Sequence, residues 1–453
     1  MTQQLRTMTD IVVLGAARSG RAAACLAQRL GASVFVSEQR AADLCSEAVE
    51  QFSHLGIPAE FGGHSERVFR AAQIIISPGI PPHAPVVQEA RRRGIPILSE
   101  LEFAWRHLSQ RTVVAVTGTN GKTTTTALIG FILRRAGREG LVGSNIGTPL
   151  SELMCRGIPD GAVLVLEVSS YQLEFCHHFR PDVAVLLNIV PDHLEYHGGF
   201  EAYRQAKWRI TAQQRPQDLL ILNADDREAK AAEHRTRARC AYFGMRPVAE
   251  GAYIRGTDVV TVWQHKEEVL MSTDKLRLPG AHNLYNSLAA VVAARALEIR
   301  NEDIRDSLMQ FAGVEHRLEL VRRWRGVDFI NDSKATNVNA AWYALSSYTQ
   351  PIVWIAGGRG EHNDYSSLDE LVSQRVRLLI AIGEEADALF GHFYTKVRCL
   401  RATSLREAVR LAALYAQPGD VVLLSPACKS FDMFVNFEHR GEVFRQAVWE
   451  LPE

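Results

Sequence analysis

Short runs of branched apolar residues alternate along this chain with longer stretches whose apolar positions recur three or four apart. DIVVLG (residues 10–15) leads into RSGRAAACLAQRLG (18–31), which reads as a helix, and then into a second strand, ASVFVSE (32–38). QIIISPG (73–79) and IPILS (95–99) follow, with the helical APVVQEARRRG (84–94) between them. Continuous apolar strands that alternate with helices predict a parallel sheet covered on both faces. The pattern restarts at TVVAVTG (112–118), passes through a helix opened by KTTTT, and continues in the strands AVLVLEVSS (162–170), DVAVLLNIV (182–190) and DLLILNADD (218–226). A more polar part, roughly 240 to 280, carries short β-like runs, DVVTVWQ and EVLMSTDKLRL, and reads as a small β subsection. The helix NLYNSLAAVVAARAL (283–297) closes this stretch. A third set of strands, VDFIND (327–332), PIVWIAGG (351–358), RLLIAIG (377–383) and DVVLLSP (420–426), begins after Gly313.

Composition narrows the class. A chain of 453 residues holds two to four domains of ordinary size, and 47% hydrophobic residues suffice for large cores. Lys+Arg and Asp+Glu balance at 51 each, so no excess charge points to nucleic acid or to an anionic membrane. The first residues, MTQQLRTMTDIVVLG, lack the features of a signal peptide, and no apolar run approaches the roughly 20 residues that span a bilayer. Seven cysteines stand singly (25, 45, 155, 176, 240, 399 and 428), without a CxxC pair. An odd, dispersed set argues against a disulfide framework and for a reducing cytoplasm.

The chemistry concentrates where strands end. TGTNGKTTT (117–125) lies between a strand and a helix start, the context of a phosphate loop, although its first glycine, Gly118, comes two residues late for the usual spacing. Backbone N–H groups at a helix start attract phosphate oxygens, Lys122 would reach the β and γ phosphates, and Thr123 could bind Mg²⁺. A threonine-rich helix cap is the plainer alternative. The first turn, GAARSG (15–20), has Ala17 where a dinucleotide fingerprint has a glycine. It fits either a tight turn or the phosphate or ribose of a nucleotide, with Glu38 at the ribose position. The segment SPGI (77–80) could add backbone donors. Glu167 ends an apolar strand near the phosphate loop and is a candidate Mg²⁺ ligand, the alternative being a solvated strand-end acid. Asp192, His193 and His197 leave the next strand.

Together TGTNGKTTT, SNIGTP, LEVSSYQLE, NIVPDHLEYH with AKWR, LPGAHNLYNSLAA, EHRLE, NDSKATN and SPACKSFDMFVNFEHRG resemble, in order and over essentially the whole chain, the cytoplasmic Mur ligases. These are ATP-dependent amide-bond-forming ligases of peptidoglycan synthesis. SSYQLE and SPACKSFDMFVNFEHRG are most similar to the branch that adds D-glutamate. The resemblance implies an α/β fold of three domains. Residues 1–102 would form a Rossmann-like UDP-substrate domain, 103–312 a central P-loop ATPase-type parallel sheet with the β subsection, and 313–453 a Rossmann-like domain contacting ATP and glutamate. It implies ligation of glutamate to UDP-N-acetylmuramoyl-L-alanine through an acyl phosphate, with ATP and two Mg²⁺ sites, by a cytoplasmic monomer that binds no nucleic acid and inserts into no membrane.

The implied roles fall on matching positions. Gly118, Thr119, Asn120, Gly121, Lys122, Thr123 and Thr124 would hold ATP, with His282, Asn283 and Asn286 on the adenine side and Arg317 and Asp332 from the third domain. Gly15, Ser19, Glu38, Arg40, Ser77, Pro78, Gly79, Asn145 and His193 would bind the sugar nucleotide. Thr123, Glu167, His193 and Lys207 as a carbamate would hold metal, and Lys122, His193, Lys207 and Lys334 carry the catalysis. Thr336, Ser430 and Phe437 are glutamate-side residues. Glu361 stands where this branch carries a lysine, so Arg359 or His362 is expected to supply the cation. A different acceptor or stereochemistry, a dinucleotide-binding oxidoreductase and a non-catalytic nucleotide switch are the alternatives.

Overall fold

The computed structural model describes residues 11–145, 147–278, 280–360 and 363–452. The apolar runs form three sheets. In the first, five parallel strands lie in the order Ala59–Phe61, Val34–Glu38, Ile11–Leu14, Gln73–Ile76 and Ile97–Ser99. Chain order reverses between Ile11–Leu14 and Gln73–Ile76, which opens a crevice at the carboxyl ends of these strands. The two loops that line it are those after Leu14 and Ile76.

The second sheet has nine strands, running from Gly140–Ser144 through Val163–Glu167, Thr112–Thr117, Val183–Leu186, Leu219–Asn223 and Arg239–Gly244 to Gly251–Arg255, all parallel. Asp258–Trp263 and Lys266–Ser272 then add antiparallel to the edge. The expected β subsection is therefore a continuation of the central sheet. EVLMSTDKLRL is a strand only as far as Ser272, and a 3₁₀ turn over Thr273–Lys275 follows. The third sheet runs Glu319–Trp324, Val327–Asn331, Val421–Leu424, Ile352–Gly357, Val376–Ile382 and Arg398–Arg401, with only the first strand antiparallel. The central strands are Val/Ile/Leu-rich runs and, apart from Thr112, are buried throughout, as expected where helices cover both faces.

The chain divides into two compact units, Met1–Leu276 with Tyr285–Met309, and Arg277–Leu284 with Gln310–Glu453. The first two sheets share one unit because their connecting segments are hydrogen-bonded together. The buried Glu102 carboxylate accepts the amides of His177, His178 and Phe179 at 2.8–3.2 Å and pairs with Arg106 at 2.7 Å. The Ser99 amide donates to the Phe175 carbonyl, the Ser151 amide to Glu100, and the Tyr196 hydroxyl to the Ile80 carbonyl at 3.1 Å. Among the described residues no helix is long and apolar enough to cross a membrane.

Candidate active site

The strand Thr112–Thr117 ends in the phosphate loop, and the helix Lys122–Arg135 begins there. Its cap is Gly121, at φ +84°, rather than a threonine, and no side chain caps it. Thr123 to Thr126 are buried. A Cβ on Gly121 would lie 2.2 Å from Asn286 Oδ1, and one on Gly118 (φ +152°) 2.9 Å from Leu187 Cβ, so both positions need glycine. Asn188, at the end of the neighbouring strand, clamps the loop: its Oδ1 accepts the Asn120 amide at 2.8 Å, and its Nδ2 donates to the Asn120 carbonyl at 3.1 Å. Thr119 Oγ1 shares a 2.8 Å hydrogen bond with Tyr203 Oη. Asn188 and Tyr203 are supporting residues that sequence reasoning missed. The signal for Asn188 was a lone polar residue ending an apolar strand beside a phosphate loop.

Two lysines converge on one carbonyl oxygen. Lys122 Nζ donates to the Gly118 carbonyl at 2.9 Å and to that of Thr119 at 2.7 Å, and Lys207 Nζ donates to Gly118 at 2.7 Å. Lys207, on the helix Phe200–Trp208, is buried. Burial, and then the charge of Lys122, push its pKa well below the usual lysine range, while Asp192 and Glu167 pull the other way. Glu167 is buried at the end of Val163–Glu167, where its Oε1 accepts Asn145 Nδ2 at 2.7 Å, which excludes the solvated strand-end reading. His193 adopts a left-handed conformation (φ +52°) and remains partly exposed, its Nε2 3.5 Å from Asp192. His197, by contrast, packs against Tyr171, Tyr196 and Tyr203 and bonds Ser170 Oγ at 3.1 Å. Burial and nearby Lys207 lower its pKa to about 4, so it is a neutral packing residue.

Among the described residues no group of three or more His, Cys, Asp or Glu side chains is gathered for a metal. The donor set at the loop is a buried threonine hydroxyl, a buried carboxylate and one imidazole. That set is sparse and mostly hard oxygen, which suits Mg²⁺, an ion that keeps several waters and takes phosphate oxygens as ligands.

At the first sheet's crevice, Gly15 (φ +92°) and Gly20 let two loops touch: an added Cβ would lie 2.6 Å from Ser77 Oγ and 1.9 Å from the Gly15 carbonyl oxygen, respectively. Ala17 precedes the helix Arg18–Arg29, which holds Ser19 in its first turn and has no side-chain cap. Pro78 and Gly79 form the turn after Ser77. Glu38 Oε2 accepts the Ala16 amide at 2.7 Å, and Oε1 the Arg40 amide at 3.0 Å. Burial alone would raise its pKa, but the hydrogen bonds from Arg40 and the amides outweigh burial and lower it to about 2. Arg40 Nε lies 3.1 Å from the same carboxylate.

In the second unit the expected residues again gather at carboxyl ends of strands. Asp332 follows Val327–Asn331, and burial raises its pKa to about 7 against the opposing pull of Arg317 and hydrogen bonds from Ser425 Oγ and the Leu318 amide. The Lys334 amide donates to the His316 carbonyl, and Lys334 Nζ stands 5.3 Å from the ring centroid of Phe437. Thr336 lies two residues on, its amide donating to the Lys334 carbonyl at 2.9 Å. Ser430 is buried, and its carbonyl accepts the Phe434 amide. Arg359 and Lys429 exchange backbone hydrogen bonds at 2.9 and 3.0 Å, while the Arg359 guanidinium forks onto exposed Glu384 at 2.9 and 3.1 Å. Glu361 and His362 lie outside the described residues. His282 bonds Ser347 Oγ at 3.2 Å, and desolvation and Arg317 lower its pKa to about 4. Asn283 is buried beside it in sequence. In the first unit, buried Asn286 accepts a 3.4 Å hydrogen bond from Thr125 Oγ1.

Three family models match the chain: the Mur ligase MurD-like N-terminal domain at residues 9–99, the Mur ligase middle domain at 116–294, and the Mur ligase, glutamate ligase domain at 316–428. Curated relatives include the UDP-N-acetylmuramoylalanine–D-glutamate ligases of Salinibacter ruber, 45% identical over 100% of both chains, and of Acidobacterium capsulatum, 44% identical over 97% of this chain and 95% of the relative. Among solved structures, a pseudomurein peptide ligase type C from Methanothermus fervidus superposes with a TM-score of 0.61 at 20% identity, covering 98% of this chain and 100% of its own. The UDP-N-acetylmuramate-alanine ligase of Thermotoga maritima does so with a TM-score of 0.60 at 19% identity, covering 97% of this chain and 98% of its own. At such identities these structures speak for the fold.

Proposed function

The chain belongs to the Mur ligase family, and from that membership we infer that it is an ATP-dependent ligase joining D-glutamate to UDP-N-acetylmuramoyl-L-alanine in peptidoglycan precursor synthesis. The observation that carries this reading is identity of 45% over the full length of a D-glutamate ligase, far beyond a shared fold. The working domain division is 1–102, 103–312 and 313–453, and the enzyme is read as a cytoplasmic monomer that takes no nucleic acid.

A carboxylate does not condense with an amine unaided. ATP, bound with Mg²⁺, supplies the phosphoryl group that turns the alanyl carboxylate into an acyl phosphate, which the glutamate amine then attacks with release of phosphate. The chain's own work is to position the reactants and neutralise charge. The uncapped start of Lys122–Arg135 presents backbone N–H groups, and Lys122 a cation, to the phosphates. Thr123 and Glu167 would hold one Mg²⁺, and His193 with carbamylated Lys207 a second. Support for the latter is the suppressed pKa of buried Lys207, since only a neutral amine captures carbon dioxide. Glu38, Arg40 and the glycine-packed turns of Gly15 and Ser77, with Ser19, Pro78 and Gly79, are read as the uridine-diphosphate site, and Asn145 and His193 as further contacts to the sugar nucleotide. His282, Asn283 and Asn286 are assigned to the adenine side of ATP, and Arg317 and Asp332 to further ATP contacts. Lys334, Thr336, Ser430 and Phe437 are assigned to the acyl phosphate and glutamate, with Arg359 as the cation for a glutamate carboxylate.

The test is phosphate release from ATP with UDP-N-acetylmuramoyl-L-alanine and either glutamate enantiomer, with the product weighed by mass spectrometry. The expected outcome is release that depends on D-glutamate and a product heavier by one glutamyl residue. Release with L-glutamate alone, or without any amino acid, would overturn the assignment.

A further inference from the structure

Two of the seven cysteines, 130 positions apart in sequence, meet where the first two sheets join. Cys25 lies on the helix Arg18–Arg29 and Cys155 on the helix Leu150–Arg156, with their sulfurs 3.9 Å apart. The two helices are locked in register by further contacts. The Arg29 guanidinium donates to the Cys155 carbonyl, and Arg18 pairs with Glu152 at 3.5 Å. Both thiols are partly exposed, and both line a cavity of about 530 Å³ whose rim carries Arg18, Arg21, Glu47 and Glu152. Neither sulfur belongs to the phosphate loop or to the nucleotide crevice, and the ligation chemistry uses neither.

We propose that Cys25 and Cys155 form a covalent modification site, a reversible intramolecular disulfide that staples the first sheet's helix layer to the central domain. A disulfide needs its sulfurs about 2.05 Å apart, so the pair must close by about 1.9 Å, within reach of side-chain rotation on two helices already in contact. The oxidant is a small disulfide of the glutathione class. The cavity admits it, and the mixed signs on the rim complement its carboxylates and ammonium. Cys25, as thiolate, attacks one sulfur of the small disulfide, whose S–S bond breaks and releases one small thiol. Cys155 then attacks the Cys25 sulfur and expels the second small thiol. The two protein thiols are oxidised, the small disulfide is reduced, and the two protons end on the released thiols. Burial, and then the neighbouring Cys25, hold the Cys155 thiol up near a pKa of about 11, so little of it is thiolate at neutral pH and its attack on the mixed disulfide is slow.

The experiment uses the full chain, oxidised glutathione as the probe, and alkylation followed by non-reducing peptide mapping. The expected result is a fall in alkylated thiols from seven to five, a mass loss of two hydrogens, and one crosslinked peptide joining Cys25 to Cys155, all reversed by dithiothreitol. The oxidised chain should also unfold at a higher temperature than the reduced one, because the bond closes a long loop. Cys25→Ala and Cys155→Ser, conservative at partly exposed positions, should each abolish the crosslink and the rise in unfolding temperature. Both thiols still alkylated, a stable mixed disulfide at either, or a two-thiol loss that survives in Cys25→Ala would overturn the proposal.

Discussion

Lys122 is held at the phosphate loop by two backbone carbonyls and belongs to no apolar cluster, so its side chain can be removed at little structural cost. Lys122→Ala is expected to lower turnover by about 10²–10³-fold, the typical effect of removing one preorganised group that stabilises developing charge. Circular dichroism and thermal unfolding should stay close to the parent. Normal turnover in a folded Lys122→Ala would remove the loop from the mechanism. Lys207 makes a different demand, because it shares the Gly118 carbonyl with Lys122 while buried. Given ¹³C-bicarbonate, the folded protein should show a carbamate carbon resonance that Lys207→Ala lacks, whether or not substrates are present. Arg359 is held by Glu384 in an exposed pair, and such pairs contribute little, so an incoming carboxylate can replace that partner. Arg359→Ala should therefore raise KM for glutamate several-fold and leave KM for ATP unchanged. Equal shifts in both would count against the assignment.

At the scale of elements, Glu102 makes the most hydrogen bonds of the carboxylates that link the first two sheets. Glu102 accepts three consecutive amides, from His177 to Phe179, and Glu102→Ala would leave them without that acceptor. The expected loss is about 1–3 kcal/mol, read as a lower midpoint in urea, with turnover of the folded fraction preserved. Nothing in the sequence marked Glu102, since its partners lie some 75 residues away and such pairing follows no local pattern. The same limit explains the Cys25–Cys155 contact. Elements were legible where burial is two-sided: TVVAVTG, AVLVLEVSS and PIVWIAGG are unbroken apolar runs and form central strands. Some strands at sheet edges were not legible, although IPILS and the first part of EVLMSTDKLRL, both at sheet edges, were. Gly140–Ser144 contains two glycines, Arg398–Arg401 reads RCLR, and Glu319–Trp324 reads ELVRRW, because one-sided or partial burial permits polar residues. The phosphate loop, in contrast, was legible through motif spacing, with a strand before it, a helix start after it and two positions that need glycine, and the roles proposed for the other candidate site residues came from the resemblance. What spacing could not convey was their environment: that Glu167 and Lys207 are buried, and that Glu38 is already engaged by Arg40.

At the scale of the molecule, each compact unit carries a buried strand-end carboxyl, Glu38 in the first and Asp332 in the second, and these two titrate in opposite senses. In the first unit Glu38 has its pKa lowered to about 2 from its ordinary 4.5. The folded state thus holds its proton less tightly than the unfolded state. Its contribution is complete above about pH 4.5, and it is lost as pH falls through about 2. In the second unit Asp332 is raised to about 7 from 3.8. There the folded state binds the proton more tightly, so the contribution is complete below about pH 4 and is lost as pH rises through about 7. For buried Asp332 the gap corresponds to about 4 kcal/mol at most, whereas solvent around half-exposed Arg40 screens the Glu38 pair and makes its contribution much smaller than its gap. Between pH 8 and pH 5 the second unit should gain stability while this contribution of the first is flat. Hydrogen exchange read by mass spectrometry separates the units by peptide. Amides of the strands Val327–Asn331 and Val421–Leu424, which flank Asp332, should exchange through openings that become rarer from pH 8 to pH 5, after correction for intrinsic rates. Asp332→Asn, which cannot ionise, should abolish that gain and leave the strands of the first unit unaffected. A gain that survives in Asp332→Asn would assign the titration to another group.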